Sequence, residues 1–406
     1  MEPLHLTHYT ATSCIGRGLN ETLCTLREQR SGLKPCAFDT VDLATYVGEA
    51  VGVDEVALPA ALAAFDCRNN RLAMLGLRQD GYADAVRAAT ARHGAHRIGV
   101  ILGTSTSGML QTERAYRRRD AATGALPTDF DYKTTHNAYS VADFTRRYFG
   151  LQGPAHVVST ACSSSAKVFA SAQRMISAGL IDAAVVGGVD TLCLTTLYGF
   201  NSLQLVSNEP CRPYDAQRNG ISIGEAAAFA LLERASNTVN DNAVLLHGVG
   251  ESSDAHHMSS PHPGGLGARM AMQQALDMAR LQPADIGYIN LHGTATQTND
   301  AAEGKAVATL FGAHTPCSST KGATGHTLGA AGALEAVVCA LALTHGFLPA
   351  GVNTRARDAA IDIDYVLDQR QPTLNKLNYA LSNSFGFGGT NCSLLLGRGG
   401  RGKAPS

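Results

Sequence analysis

His156-Val157-Val158-Ser159-Thr160-Ala161-Cys162-Ser163-Ser164-Ser165-Ala166 is an apolar run that breaks into small residues and then restarts with helical spacing. Val168, Phe169, Ala172, Met175 and Ile176 continue that spacing, which predicts a strand, a tight turn and a buried helix reaching about residue 178 and closed by Gly179. Cys162 falls at the start of the helix, where the dipole and the unpaired N–H groups favour a thiolate. A free cysteine among small residues is also an ordinary packed hydrophobe. This segment alone leaves both readings open.

Working outward, residues 98–102 and 183–186 read as buried parallel strands, each followed by a glycine-bearing turn. The first half ends near Glu233-Arg234, and the polar stretch 236–242 connects it to a strand at 244–249. A second α/β series follows. Its strand 287–291 runs into His292-Gly293-Thr294, and a turn at 322–325 leads into an apolar helix over 328–343. Thr324-Gly325-His326 before a small-residue helix echoes Thr160-Ala161-Cys162, so residues 1–243 and 244–406 are predicted to be two α/β halves of one duplicated plan, with two helix starts facing each other. The Gly- and Arg-rich tail 398–406 is expected to fray.

With 406 residues, 45% of them hydrophobic, and 42 glycines, the chain suits a closely packed α/β enzyme. A net charge of -1 offers no electrostatic case for nucleic acid or a membrane surface. The ten cysteines form no C-x-x-C pair and no zinc-finger spacing, which suggests reduced thiols and a cytoplasmic protein. The start, Met1-Glu2-Pro3-Leu4-His5-Leu6, has neither a basic n-region nor a long apolar run, and no segment is expected to reach transmembrane length without polar interruption. His256, His257 and His262 crowd one loop, but no Cys or acid stands at ligand spacing beside them, so no metal is expected there.

Three further segments combine small residues with side chains able to hold or polarise a thioester. Asn290-Leu291-His292-Gly293-Thr294-Ala295-Thr296 puts an imidazole at the carboxyl edge of a sheet, where α/β proteins bind ligands. Ser319-Thr320-Lys321-Gly322-Ala323-Thr324-Gly325-His326 supplies a second imidazole and a lysine. Asn383-Ser384-Phe385-Gly386-Phe387-Gly388-Gly389-Thr390-Asn391 is a glycine loop that leads into a strand, which argues against a dinucleotide site.

Together with the Cys162 segment, these motifs resemble the β-ketoacyl-acyl-carrier-protein synthases of the I/II type. The likeness runs from the Ser13-Cys14-Ile15-Gly16 turn to the Gly386–Asn391 loop. The resemblance implies a thiolase-like, duplicated αβαβα layered fold and decarboxylative condensation of malonyl-carrier protein with an acyl group held on Cys162. It implies His292 and His326 as the paired histidines, with Lys321 ordering their site and Glu303 as the electrostatic partner of Lys321. The N–H groups of Cys162 and Phe387 would form the oxyanion hole, with Phe387 also a gate between flexible glycines. Thr294 and Thr296, with Ser259 and Ser260 as lesser candidates, would bind the pantetheine arm. Ala295 stands where the family often has Gly, which should narrow the tunnel slightly. No cofactor is implied beyond the phosphopantetheine of the carrier protein.

The resemblance also bears on partners and substrates. Acyl carrier proteins are acidic, so Arg68 and Arg71, and the run Arg114, Arg117, Arg118 and Arg119, are candidate docking residues, with a solvated face as the alternative. Thr106 is expected to set the depth of the acyl pocket. The segment Lys133-Thr134-Thr135-His136-Asn137 would reach across a dimer interface, and the polar character of both points to unsaturated, aromatic or short acyl groups, as in polyene or polyketide assembly. The N-terminal strand reads as abbreviated, with Leu4-His5-Leu6-Thr7 in place of a longer run. A homodimer pairing the strand at 183–189 across a two-fold axis is expected, or a heterodimer with a homologous subunit. A noncatalytic chain-length factor would lack Cys162. A thiolase would carry a second catalytic Cys near the glycine loop, where Cys392 reads as structural, and a type III synthase would not carry His326.

Overall fold

The computed structural model describes residues 2–235, 240–372 and 377–399. Part of the connection at 236–242 and most of the tail lie outside the described residues. Eleven strands carry the main path of a twelve-stranded sheet: β1 (Leu4–Ser13), β2 (Ile98–Gly103), β3 (Ala155–Val158), β4 (Ala183–Asp190), β5 (Ala226–Arg234), β6 (Val244–Ser253), β7 (Tyr288–Asn290), β8 (Pro316–Ser318), β9 (Asp364–Tyr365), β10 (Tyr379–Gly386) and β11 (Thr390–Arg398). Their order is β9-β8-β7-β10-β11-β6-β1-β5-β4-β2-β3. Strands before residue 243 therefore occupy one end and strands after it the other, joined where β1 pairs with both β5 and β6.

Five helices matter to the site: α1 (Arg68–Leu77), α2 (Ser164–Ser177), α3 (Leu194–Ser202), α4 (Gln297–Phe311) and α5 (Ala331–His345). The layers follow from strand alternation. In β5, Ala226, Ala228, Ala230 and Leu232 face a central core shared with α2 and α5, whereas Ala227, Phe229 and Leu231 face an outer core shared with α1. In β11, Cys392, Leu394 and Leu396 face the same central core and Leu395 faces a third core. Helices α2 and α5 thus form a middle layer, with a half-sheet and an outer helical layer on either side: α/β/α/β/α, the thiolase-like plan. Of the two, α5 is apolar on nearly every face. Against the expectation that no segment reaches transmembrane length, the run Leu328–His345 is long and apolar enough to cross a membrane by composition, because a middle-layer helix is covered on every side, and 89% of it is buried inside the fold.

Two expectations from the sequence are corrected here. The N-terminal strand is ten residues long, not abbreviated, because the polar stretch Thr10, Thr12 and Ser13 is buried between neighbouring strands. The strand at 183–189 cannot pair across a two-fold axis, since β4 is bonded to β2 on one side and β5 on the other. The free edge at that end is β3, which is half-buried along its length.

A third correction concerns Arg68, which is not a docking residue. It is 4% exposed, and its guanidinium forks onto Glu225 at 2.6 and 2.8 Å. Glu225 also accepts the N–H groups of Leu192 and Ala50 and adjoins Gly224, whose N–H bonds the His326 carbonyl. Arg71, Arg117 and Arg118 reach solvent but are already paired with Asp66, Asp39 and Asp129. Arg68→Ala would leave the Glu225 carboxylate buried and unpaired, so we expect a loss of about 3–5 kcal/mol in urea denaturation; a loss below about 1 kcal/mol would show that the pair carries little of the stability.

Candidate active site

Cys162 and His292 follow strand ends, and His326 follows the one-turn helix Lys321–Thr324, each where the backbone turns. Ala161 (φ 52°) and Gly325 (φ 71°) are both left-handed, and each immediately precedes a reactive residue, Cys162 and His326. For alanine this costs about 1–2 kcal/mol. The Ala161 carbonyl recovers part of it by accepting from the Ser164 N–H and hydroxyl. The two turns that echo each other in sequence both reach their reactive residue through a positive φ and face one another, with His326 Nε2 3.0 Å from the Cys162 sulfur. Around His326, its N–H donates to the Ser222 carbonyl and its carbonyl accepts from Gly224, which locks the turn onto the short strand Ile223–Gly224.

His292 stands just past β7 at the carboxyl edge of the parallel trio β8-β7-β10. Its ring lies edge-on to that of His326, centroids 5.3 Å apart. Lys321 opens a one-turn helix after β8, and its ammonium lies 3.4 Å from His292 Nδ1 and 2.6 Å from the His292 carbonyl oxygen. An ammonium can only donate, so Nδ1 accepts and the ring proton of His292 sits on Nε2, facing the site.

The partner expected for Lys321 is wrong. Its ammonium pairs with Glu335 on α5, and both are buried. Glu303, on α4, instead accepts the N–H groups of His292 and Gly293 at 2.8 Å, the Tyr214 hydroxyl and the Asn383 amide. It supports His292 through the backbone rather than by charge. Glu335 had a visible signal in the sequence: it is the one acid in an otherwise apolar helix.

The electrostatics also revise the expected thiolate. Helix α2 begins at Ser164 with Ser163 as its cap, so the sulfur lies ahead of the helix end. Burial pushes the Cys162 thiol up to about 11, against the pull of the Lys321 charge and of the Phe387 and Cys162 N–H groups. Burial, reinforced by Lys321, holds His292 and His326 well below the ordinary imidazole value. The resting site is therefore a thiol beside two neutral imidazoles. The sulfur and ring nitrogens lie within 4.8 Å of one another, the one such cluster of metal-type ligands among the described residues. The neighbouring ammonium opposes a cation there.

A cleft reaches Cys162, His292 and His326 from the surface, lined by Thr294, Thr296, Ser259, Ser260, Phe200 and Phe387. The Thr294 and Thr296 hydroxyls are 2.9 Å apart. Phe387 begins the turn between β10 and β11 and packs on Phe200 of α3, ring centroids 5.5 Å apart. Gly388 and Gly389 follow with positive φ; the Gly388 N–H donates to the Met258 carbonyl and the Gly389 carbonyl accepts from Asp254. Two residues expected at the pocket do not line this cleft. Thr106 is buried away from the cleft, its hydroxyl donating to Asp190. Ala295 is fully buried in a left-handed conformation, its N–H on Asp300, so its methyl does not narrow the cleft.

Comparison with known proteins agrees with this geometry. Residues 75–238 match the β-ketoacyl synthase N-terminal domain and residues 243–355 the β-ketoacyl synthase C-terminal domain. The chain is 40% identical over 265 residues to the mitochondrial 3-oxoacyl-[acyl-carrier-protein] synthase of Arabidopsis thaliana, covering 61% of this chain and 57% of that enzyme, a little over half its length. It is 35% identical to putative polyketide β-ketoacyl synthase 1 of Streptomyces halstedii, over 77% of this chain and 79% of the relative. The ketosynthase ApeO of Xenorhabdus doucetiae, solved in complex with its chain length factor ApeC, superposes with a TM-score of 0.88 at 39% identity over 98% of both chains. A nucleophile turn, two neutral imidazoles over a buried lysine and this likeness along nearly the whole sequence converge on one assignment, and the chain belongs to the β-ketoacyl synthase family of condensing enzymes.

Proposed function

We propose that the chain elongates an acyl group by two carbons, condensing it with malonyl-carrier protein. The observation that carries the reading is the 3.0 Å contact between the Cys162 sulfur and His326 Nε2 at the foot of a cleft. The S–H proton passes to His326 as the sulfur attacks the incoming acyl thioester, and the departing pantetheine thiolate takes that proton back. The acyl carbonyl oxygen sits against the Cys162 and Phe387 N–H groups. Malonyl-carrier protein then loses carbon dioxide, and the enolate oxygen accepts a hydrogen bond from His292 Nε2, whose proton is held there by Lys321 behind the ring. The enolate carbon attacks the acyl carbonyl, and the Cys162 sulfur leaves as a thiolate, which regains its proton from solvent. No base is needed to create the nucleophile, which suits imidazoles kept neutral. The cleft hydroxyls of Thr294, Thr296, Ser259 and Ser260 offer partners for the amides of the pantetheine arm. The ten free cysteines accord with a reducing, cytoplasmic setting.

A second reading places the chain as the catalytic member of a pair with a homologous subunit. It is favoured by the likeness to the Xenorhabdus ketosynthase over 98% of both chains, and β3 supplies the free edge such a pairing needs.

Incubation with acyl-carrier proteins of several chain lengths should leave an acyl adduct on the intact mass, absent in Cys162→Ala. Malonyl-carrier protein should discharge it as a β-ketoacyl product. His292→Ala should still acylate but lose about 100- to 1,000-fold in product formation. Equal loss in both steps would remove the assigned role of His292. If only chain mixed with a homologous partner condenses, the paired reading holds.

The pH dependence has a definite sign. Histidines whose values are depressed in the fold stay neutral down to those values, so condensation should not fall as pH drops from about 8 to about 6. Iodoacetamide labelling of Cys162, read by peptide mass, should keep rising from pH 8 to pH 10, in line with a thiol near 11. A plateau by about pH 7 would instead indicate a preformed thiolate.

A further inference from the structure

Beneath the reactive pair lies a carboxylate that the reaction described above does not use. Asp190 ends β4, is fully buried, and accepts hydrogen bonds from five neutral donors. These are the Thr104 hydroxyl (2.7 Å), the Ser105 N–H (2.8 Å), the Thr106 N–H and hydroxyl (both 2.8 Å) and the Gly329 N–H (2.6 Å). The donors come from two separate places. Thr104, Ser105 and Thr106 form the turn after β2, and the Ser105 hydroxyl of that turn reaches the Ala161 carbonyl, directly before Cys162. Gly329 lies three residues beyond His326.

The contact is close by construction. A Cβ on Gly329 would fall 2.7 Å from the Ser105 hydroxyl and 2.8 Å from the Asp190 carboxylate, so only glycine allows the His326 turn to approach this far. The preceding residue, Leu328, is held left-handed at φ 53°, a conformation that leucine adopts only when its surroundings dictate it. Further along, the Ala333 N–H donates to the Ser165 hydroxyl, which ties the bodies of α5 and α2 together. The turns ahead of those helices, which carry the reactive atoms, have Asp190 as their common anchor.

We propose that Asp190 is a positioning residue for the condensing reaction, a buried clamp that keeps the Cys162 turn and the His326 turn at reacting distance. The idea deepens the reading of the site given above and rests on it. Its physical basis is that proton transfer needs the sulfur and the ring nitrogen near 3 Å, and a displacement of about 1 Å costs on the order of 100-fold. A fully satisfied buried carboxylate is a stiff junction, because each donor it holds would be unpaired without it.

Asp190→Asn keeps the volume but turns an NH2 toward N–H and O–H donors. In the variant, the amplitude of acyl-enzyme formation, which counts folded sites, should stay near that of the parent. The acylation rate should fall at least about tenfold, with KM for the acyl-carrier protein changed by less than about twofold. A merely structural role would lower the amplitude and the melting temperature while leaving the rate per acylable site unchanged, and that result would overturn the proposal. Should Asp190→Asn not fold, Thr104→Val removes one donor to the carboxylate, together with the acceptor of the Ser107 N–H, and leaves the carboxylate in place; a drop of about threefold in acylation rate is expected, and an unchanged rate overturns the proposal. Iodoacetamide labelling of Cys162 across pH 6 to 10 needs no carrier protein, so it separates the two ideas. If the parent forms no acyl-enzyme, the functional reading fails, while an altered labelling profile in Thr104→Val, which leaves the Asp190 charge beside the thiol in place, still supports the clamp and an identical profile overturns it.

Discussion

The site exists because two helices approach until nothing larger than hydrogen fits between them. A Cβ on Gly332 of α5 would lie 2.6 Å from the Ala166 nitrogen of α2. Gly103 at the end of β2 and Gly188 in β4 meet the same stretch, since a Cβ on either would come within 2.5 Å of Ser165. The first turns of α2 and α5 are thus enclosed by backbone on several sides. That closeness lets a sulfur from the first half and an imidazole from the second touch, and it leaves the pair almost no freedom to separate. Interiors packed at this density transmit small volume changes rather than absorb them.

Depth has an electrostatic consequence. Lys321, His292, His326 and Cys162 are all buried, so charge there must be neutralised locally or not formed at all. The protein uses both solutions. Lys321 is paired with Glu335, while the two imidazoles and the thiol are kept neutral by desolvation. Reactivity depends less on a preformed ion than on a short path for one proton between sulfur and nitrogen. The buried Arg68–Glu225 pair follows the first solution, at the back of the strand that holds His326.

How much of this was legible in the sequence depended on whether a property is local. The nucleophile turn, both histidine turns, the lysine and the glycine loop are each written in a few consecutive residues, and their order along the chain carried the layered fold with them. What escaped were pairings. An acid three residues from Asp300 looked like the partner of Lys321, yet Glu335 holds it, because α5 lies under the lysine only once the half-sheets have closed. Arg68 looked like surface charge because nothing near it in sequence shows that Glu225 comes to lie beside it. The thiol misled in the same way: a helix start argues for a lowered value, and only burial, a tertiary quantity, reverses the sign. Thr106 was assigned to the acyl pocket by family resemblance, and nothing in the sequence signals that its hydroxyl is claimed by Asp190.

The free edge of the sheet has a bearing on how such proteins choose their associates. Strand β3 presents unpaired main-chain N–H and C=O groups directly before the nucleophile turn. Main-chain hydrogen bonding is blind to side chains, so this edge makes no distinction between an identical strand and one from a diverged sister chain. Discrimination must then come from the side chains that flank the edge, and a few substitutions there suffice to exchange one associate for another while the catalytic core stays untouched.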